Sequence, residues 1–242
     1  FNSLNPSQYR LKTVVIDAGH GGKDPGARGK ISWEKDIALA ISLELGRILK
    51  ENMPAINVVY TRKDDRFLTL YKRSEIANKS NADLFISIHA DSFSKSSVYG
   101  ATTYLMGLSK TSANMNVAKR ENSVIFLEEN YEETYKDFDP NSSESVMLLS
   151  LTQKAKIDNS TILANLIQDQ FKNRVGIRSG GVKQAPFQVL WNTTMPSVLI
   201  ETGFMTNPTE EKKLNDKMHR VYMASAIFRA IRDYKKYLES NV

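Results

Sequence analysis

The 242-residue chain contains no cysteine, which excludes disulfides and thiolate ligands and leaves histidine and carboxylate to bind any metal. Histidine is itself scarce, with three in the chain. No apolar run approaches the ~18 residues of a membrane span, so a soluble chain without a span is expected. The phosphate-cradling glycine patterns of nucleotide-binding loops are absent, although Gly19, Gly21 and Gly22 sit together. Those glycines instead suit a backbone that must pass close to a metal or substrate. No repeat or low-complexity tract occurs. The chain opens at Phe1 without a charged-then-apolar leader, which fits a chain whose signal peptide has been removed. There is no arginine-rich run interleaved with aromatics either. The net charge of +6 therefore points away from nucleic acid, toward an anionic polymer or a plain basic surface.

Two of the three histidines share a context. Val14-Val15-Ile16-Asp17-Ala18-Gly19-His20 and Leu84-Phe85-Ile86-Ser87-Ile88-His89-Ala90 are strand-length, β-branched runs that each end in a histidine beside a small residue. Strand ends are where side chains from different segments converge, so His20 and His89 are candidate metal ligands, while His219 lies in a basic helical stretch without such context. Glu34 supplies a third candidate ligand. It precedes Ile37, Ala40, Ile41, Leu45 and Ile48 at helical spacing, which puts it on the inward face in the first turn. Two imidazoles and one carboxylate leave a zinc ion an open position, as hydrolytic sites require. Glu201 ends another apolar run, Val198-Leu199-Ile200, and a charge in that position needs a partner or a task. Beside a metal it would serve as general base and acid.

Strands are expected near Lys12–Asp17, Ile56–Thr61, Asp83–His89, Ala101–Leu105, Phe187–Leu190 and Ser197–Glu201. Helices are expected near Trp33–Asn52, Leu68–Ser80, Thr161–Asn173 and His219–Leu238, with Gly176, Gly180 and Gly181 at a turn. The alternation predicts one α/β domain over residues 1–242, with a mixed, mostly parallel twisted sheet, helices on both faces and an inserted helical segment.

The ordered set Asp17-Ala18-Gly19-His20-Gly21-Gly22, Glu34, Arg73 with Ala77-Asn78, Ser87-Ile88-His89-Ala90-Asp91, and Glu201-Thr202-Gly203-Phe204 with Asn207 resembles the Amidase_3 family of zinc-dependent N-acetylmuramoyl-L-alanine amidases. The resemblance runs from about Leu11 to Tyr237. It implies Zn2+ bound by His20, Glu34 and His89, catalysis by Glu201, and cleavage of the amide between N-acetylmuramic acid and L-alanine of the peptidoglycan stem. It also implies a periplasmic or other cell-envelope or secreted location and a part in cell division and wall organisation. A monomer is expected. The rival readings are a wall-binding or regulatory protein that keeps the fold, and a zinc peptidase or deacetylase acting on another amide. Arg73 is read as structural.

A segment at about 113–150 reads as an insertion, with eight acids against three bases in a chain that is basic as a whole. If Met115–Leu127 is helical, Glu121 falls inside an apolar stripe of Val117, Ala118, Val124 and Ile125, where a carboxylate must find a cation. The resemblance extends to periplasmic division amidases whose inserted helix occludes the site and gives a glutamate to the metal until an activator protein displaces it. That role falls on Glu121, with Glu128 as second choice.

Overall fold

The structure, a computed structural model, describes residues 11–109, 111–136, 139, 142, 147, 151 and 153–240. Among them six strands form one mixed sheet in the order β2-β1-β3-β6-β4-β5. These are β1 (Thr13–Ala18), β2 (Asn57–Tyr60), β3 (Leu84–Asp91), β4 (Ala101–Met106), β5 (Ser179–Ala185) and β6 (Ser197–Phe204). The first three and β6 run parallel, and β4 joins β6 antiparallel. The parallel strands are nearly continuous apolar runs because helices cover both faces.

Alternation along the strands divides the core. Val14, Ile16, Ile86, Ile88, Val198 and Ile200 pack against α1 (Glu34–Asn52), α5 (Lys154–Gln170) and α8 (Lys217–Ser240). Val15, Phe85 and Leu199 face the other way, toward α2 (Leu70–Lys79), α3 (Ser112–Asn122) and the short α6 (Gln188–Trp191). A four-residue helix, α4 (Tyr131–Thr134), follows α3, and α7 (Pro208–Asn215) follows β6. His89 and Glu201 have the same strand parity as Phe85 and Leu199, so both project from the face that α2 and α3 cover.

Four expectations are corrected. The edge strand is Ser179–Ala185, whereas Phe187–Leu190 enters helix α6. Gly180 and Gly181 belong to that strand instead of a turn: a side chain at Gly180 would collide with Thr102, so the close approach to β4 requires glycine there. Helix α5 starts at Lys154, ahead of Thr161, and α7 went unforeseen. In the expected insertion the helix ends at Asn122 and continues as a 3-10 turn, Ser123–Leu127. Residues 137, 138, 140, 141, 143–146 and 148–150 of that segment lie outside the described residues.

Candidate metal centre

The C-terminal ends of three parallel strands set the positions. His20 lies two residues past β1, His89 lies in β3, and Glu201 in β6 is the register partner of His89, so their side chains stand next to each other on one face. Glu34 opens α1 with 1% of its surface exposed, held by hydrogen bonds from Ala27 N to Oε2 at 2.8 Å and from Ala90 N to Oε1 at 2.9 Å. Arg73 is buried and braces this edge: it bonds Asp17 Oδ1 at 2.9 Å, Ala18 O at 2.6 Å and His20 O at 2.7 Å. It touches backbone and Asp17, in keeping with a structural part.

Four ligand atoms, from His20, Glu34, His89 and Glu121, lie within 4.8 Å of one another, and all four residues are buried. His20 Nε2 is 3.1 Å from Glu34 Oε1 and 3.2 Å from Glu121 Oε2, while His89 Nδ1 is 3.0 Å from each of the same two oxygens. A tetrahedral zinc ion with ligands at about 2.0–2.1 Å has ligand-to-ligand edges of about 3.3–3.4 Å, close to these spacings. His20 Nε2 and Glu121 Oε2 are buried without a hydrogen-bond partner even though they are 3.2 Å apart. Two buried polar atoms this close with no hydrogen bond between them suit a shared partner, so the donor set fits a divalent cation.

The electrostatics agree. Burial works against a charge on His89, but the carboxylates of Glu121 and Glu34 outweigh it and lift the imidazole to about 9. His20 is raised for the same reason, with Asp24 adding to the pull of Glu34 and Glu121. Burial and the neighbouring Glu34 oppose ionisation of Glu121, yet the two histidines carry it down to about 2. In each case a proton occupies charge space that a cation would take over.

Glu201 is 1% exposed, and both its carboxylate oxygens are unpartnered. Burial, then Asp91, Glu121 and Glu34, hold its carboxyl well above the usual carboxylate range, against the pull of Arg120. A buried carboxyl with raised proton affinity beside a cation site is equipped to take up and release a proton. Arg120 forms an ion pair with Asp91.

Glu121 reaches the cluster from α3, and Val117, Ala118 and Val124 are buried beside it, as the apolar stripe implies. Glu128 goes elsewhere. Its Oε1 accepts from Leu70 N at 2.9 Å at the start of α2, and its Oε2 accepts from the Tyr135 hydroxyl at 2.6 Å, so it ties the segment to the α2 N-terminus, where a carboxylate also meets the helix dipole. Asn122 adds a further tie, donating to Pro186 O and accepting from Gln188 N, both at 2.8 Å. Between α3 and the body remains a cavity of about 330 Å³ whose walls include His20, Glu34, Ser92, Arg120, Glu121 and Leu127. His219, on α8, stands outside the cluster.

Sequence reasoning missed Asp24, Arg62, Asp91 and Arg120 as neighbours of the centre. Arg62 is 2% exposed and bonds the carbonyls of Ala18, Gly19 and Lys35. Asp24 stood four residues after a candidate ligand, which was a usable signal. Asp91 and Arg120 likewise stand two residues after His89 and one before Glu121, whereas Arg62 depends on contacts between distant segments.

Comparison with known proteins follows the same lines. The family profile described as N-acetylmuramoyl-L-alanine amidase matches residues 14–233. The chain is 38% identical over 228 residues to N-acetylmuramoyl-L-alanine amidase AmiA of Escherichia coli, covering 92% of this chain and 76% of that one. The crystal structure of an N-acetylmuramoyl-L-alanine amidase from Clostridium difficile superposes with a TM-score of 0.69 at 28% identity, covering 93% of this chain and 97% of the other. The CwlD amidase of Clostridioides difficile, solved in complex with the GerS lipoprotein, gives a TM-score of 0.65 at 29% identity, covering 92% and 98%.

Proposed function

From the premise that this chain belongs to the Amidase_3 family and is an N-acetylmuramoyl-L-alanine amidase acting on peptidoglycan, we propose that it is zinc-dependent, works in the cell envelope during wall remodelling and division, and rests in a closed state that the 112–136 segment maintains. The observation that carries the zinc reading is the set of four buried ligand atoms drawn together, two of which, His20 Nε2 and Glu121 Oε2, have no hydrogen-bond partner. With no cysteine in the chain, two imidazoles and carboxylates match the ligand chemistry of hydrolytic zinc.

His20, Glu34 and His89 would hold the ion, and Glu121 fills the position that substrate needs. When bound, the ion supplies Lewis acidity that polarises the scissile carbonyl and acidifies water. Glu201 accepts the proton of the attacking water and passes it to the departing alanine amine, so that the lactyl carbonyl gains the oxygen and the amine gains the hydrogen. Its raised proton affinity suits a group that must keep the proton between those two transfers. Substrate entry requires α3 to move, because Glu121 and Arg120 both reach into the site. A second protein that engages this segment would act as activator, and the relative solved with a lipoprotein bound supports a protein partner as the means. The domain is proposed to act as a monomer, with residues 113–150 as its regulatory insertion.

The test is mass spectrometry of purified muropeptides after incubation with zinc-loaded protein. The expected products are a free stem peptide with an L-alanine amino terminus and a glycan with a free lactyl carboxylate. Loss of acetyl groups, or cuts within the stem, would reassign the chain to the deacetylase or peptidase reading. Intact muropeptides, even with the Glu121→Ala chain, would favour a wall-binding protein.

A further inference from the structure

The two histidines are held in unlike ways. His89 is a residue of β3, so the sheet fixes its backbone, and its ring lies against Gly19, where any side chain would collide with it. His20 has left the sheet and sits in left-handed backbone at φ 59, so strand geometry does not orient its ring. The next turn does. Gly21 N donates to Asp24 O at 2.8 Å and Asp24 N to Gly21 O at 3.2 Å, which closes a tight loop and returns Asp24 beside His20.

Asp24 is 8% exposed, and both its oxygens are used. Oδ2 lies 2.7 Å from His20 Nδ1, and Oδ1 accepts from Gly26 N at 3.1 Å. With Nδ1 committed as a donor to a carboxylate, the lone pair of the imidazole is at Nε2, the atom that faces Glu34 and Glu121. The same loop then walls in the ring. Gly26 has φ +67, and a Cβ there would stand 2.6 Å from His20 Cδ2 and 2.8 Å from Glu34 Oε2. One residue on, Ala27 N holds Glu34 Oε2 at 2.8 Å, which turns Oε1 toward the cluster.

We infer that Asp24 is a positioning residue of the metal centre: it fixes His20 as an Nε2 ligand and, through the loop it closes, sets His20 and Glu34 as one unit. The inference rests on reading the cluster as a zinc site. His89 needs no such residue because the sheet already orients it. Carboxylates behind metal-binding imidazoles raise ligand basicity and lock the ring, and losing one costs about 10- to 100-fold in metal affinity.

The experiment titrates metal-free protein with zinc against a chromogenic chelator and reads the imidazole 15N shifts of the zinc-loaded form. Asp24→Ala should weaken zinc binding by about 10- to 100-fold, and the His20 ring should lose its single pattern of protonated Nδ1 and metal-bound Nε2, while the His89 pattern stays. Asp24→Asn keeps an acceptor oxygen and should fall between parent and Asp24→Ala; it carries the test if the alanine variant does not fold, as judged by circular dichroism. Unchanged affinity in a folded variant overturns the inference. So does weaker affinity with the His20 shifts unaltered, which would make Asp24 a builder of the loop alone. A parent chain that binds no zinc would instead bring down the metal reading itself, and the inference with it.

Discussion

The rim from Gly19 to Glu34 and the strap from Ser112 to Tyr135 meet at one set of ligand atoms, yet different contacts hold them. The rim rests on the sheet and on two buried arginines that bond backbone carbonyls at Ala18, Gly19 and His20. Moving it would strand buried charges and unmake backbone hydrogen bonds. The strap is attached through side chains: Glu121 in the cluster, Arg120 on Asp91, Asn122 on Pro186 and Gln188, and Glu128 on Leu70. Lys23 adds a bond to Leu127 O at 2.7 Å. Phe126 and Leu127, 66% and 44% exposed, remain in solvent on this strap. The contrast teaches that the candidate ligands on the rim are fixed redundantly, whereas the strap is fastened by separable contacts, each of modest worth.

Breaking the candidate ligand set should have the largest effect. His20→Ala with His89→Ala should abolish zinc binding in elemental analysis, and full occupancy in that double variant would refute the ligand assignment. Glu201→Gln should separate binding from chemistry, keeping zinc while amide cleavage falls by about 10²-fold or more. Near-parental turnover at saturating muropeptide would move the proton shuttle elsewhere.

Changes in the strap should act in the opposite direction. Glu121 is held in the cluster by its contacts with His20 and His89 at 3.2 and 3.0 Å, and losing a charged contact worth about 1.5–3 kcal/mol means that Glu121→Ala should raise basal dye release from labelled sacculi by about 10- to 100-fold with zinc retained. A folded, zinc-loaded variant no faster than the parent would show that Glu121 is not the latch. Tyr135→Phe, which removes the hydroxyl between Glu128 and Tyr71 N, should produce a smaller rise of about 2- to 10-fold, in line with ordinary hydrogen bonds. If it activates more than Glu121→Ala does, the strap is held mainly at α2 and not at the metal.

The smallest effect belongs to Lys156, on α5 beyond the strap. Its ammonium is buried among Gln153 Oε1, Leu190 O and Thr193 O, and burial pushes it down to about 7 from 10.5. Between those values the unfolded chain binds a proton that the folded chain has released, so stability should rise with pH across that window. Urea denaturation at several pH values would show the slope, and Lys156→Met should flatten it. An equal slope in both chains would mean that the lysine keeps its charge when folded.

Much of the centre was legible because the signals were local. Strand-length apolar runs placed His89 and Glu201 on strands, which continue two and three residues past them to Asp91 and Phe204, and a period of 3.6 placed Glu34 inward on α1 and Glu121 on the apolar side of α3. The strand expected at Phe187–Leu190 failed because an apolar run of that length does not separate strand from short helix; pairing with β4 made Ser179–Ala185 the edge.

The sequence by itself determined which residues could bind and which could move a proton, since those capacities belong to side-chain chemistry and to the repeat of a single element. Only the tertiary structure decided that His20 presents Nε2 and His89 Nδ1, that Asp24 backs one and not the other, and that Glu121 enters the cluster while Glu128 caps α2. Each of these depends on which atom of one segment stands within hydrogen-bond reach of another, such as Glu128 and Leu70, 58 residues apart, and periodicity along the chain carries no record of such distances.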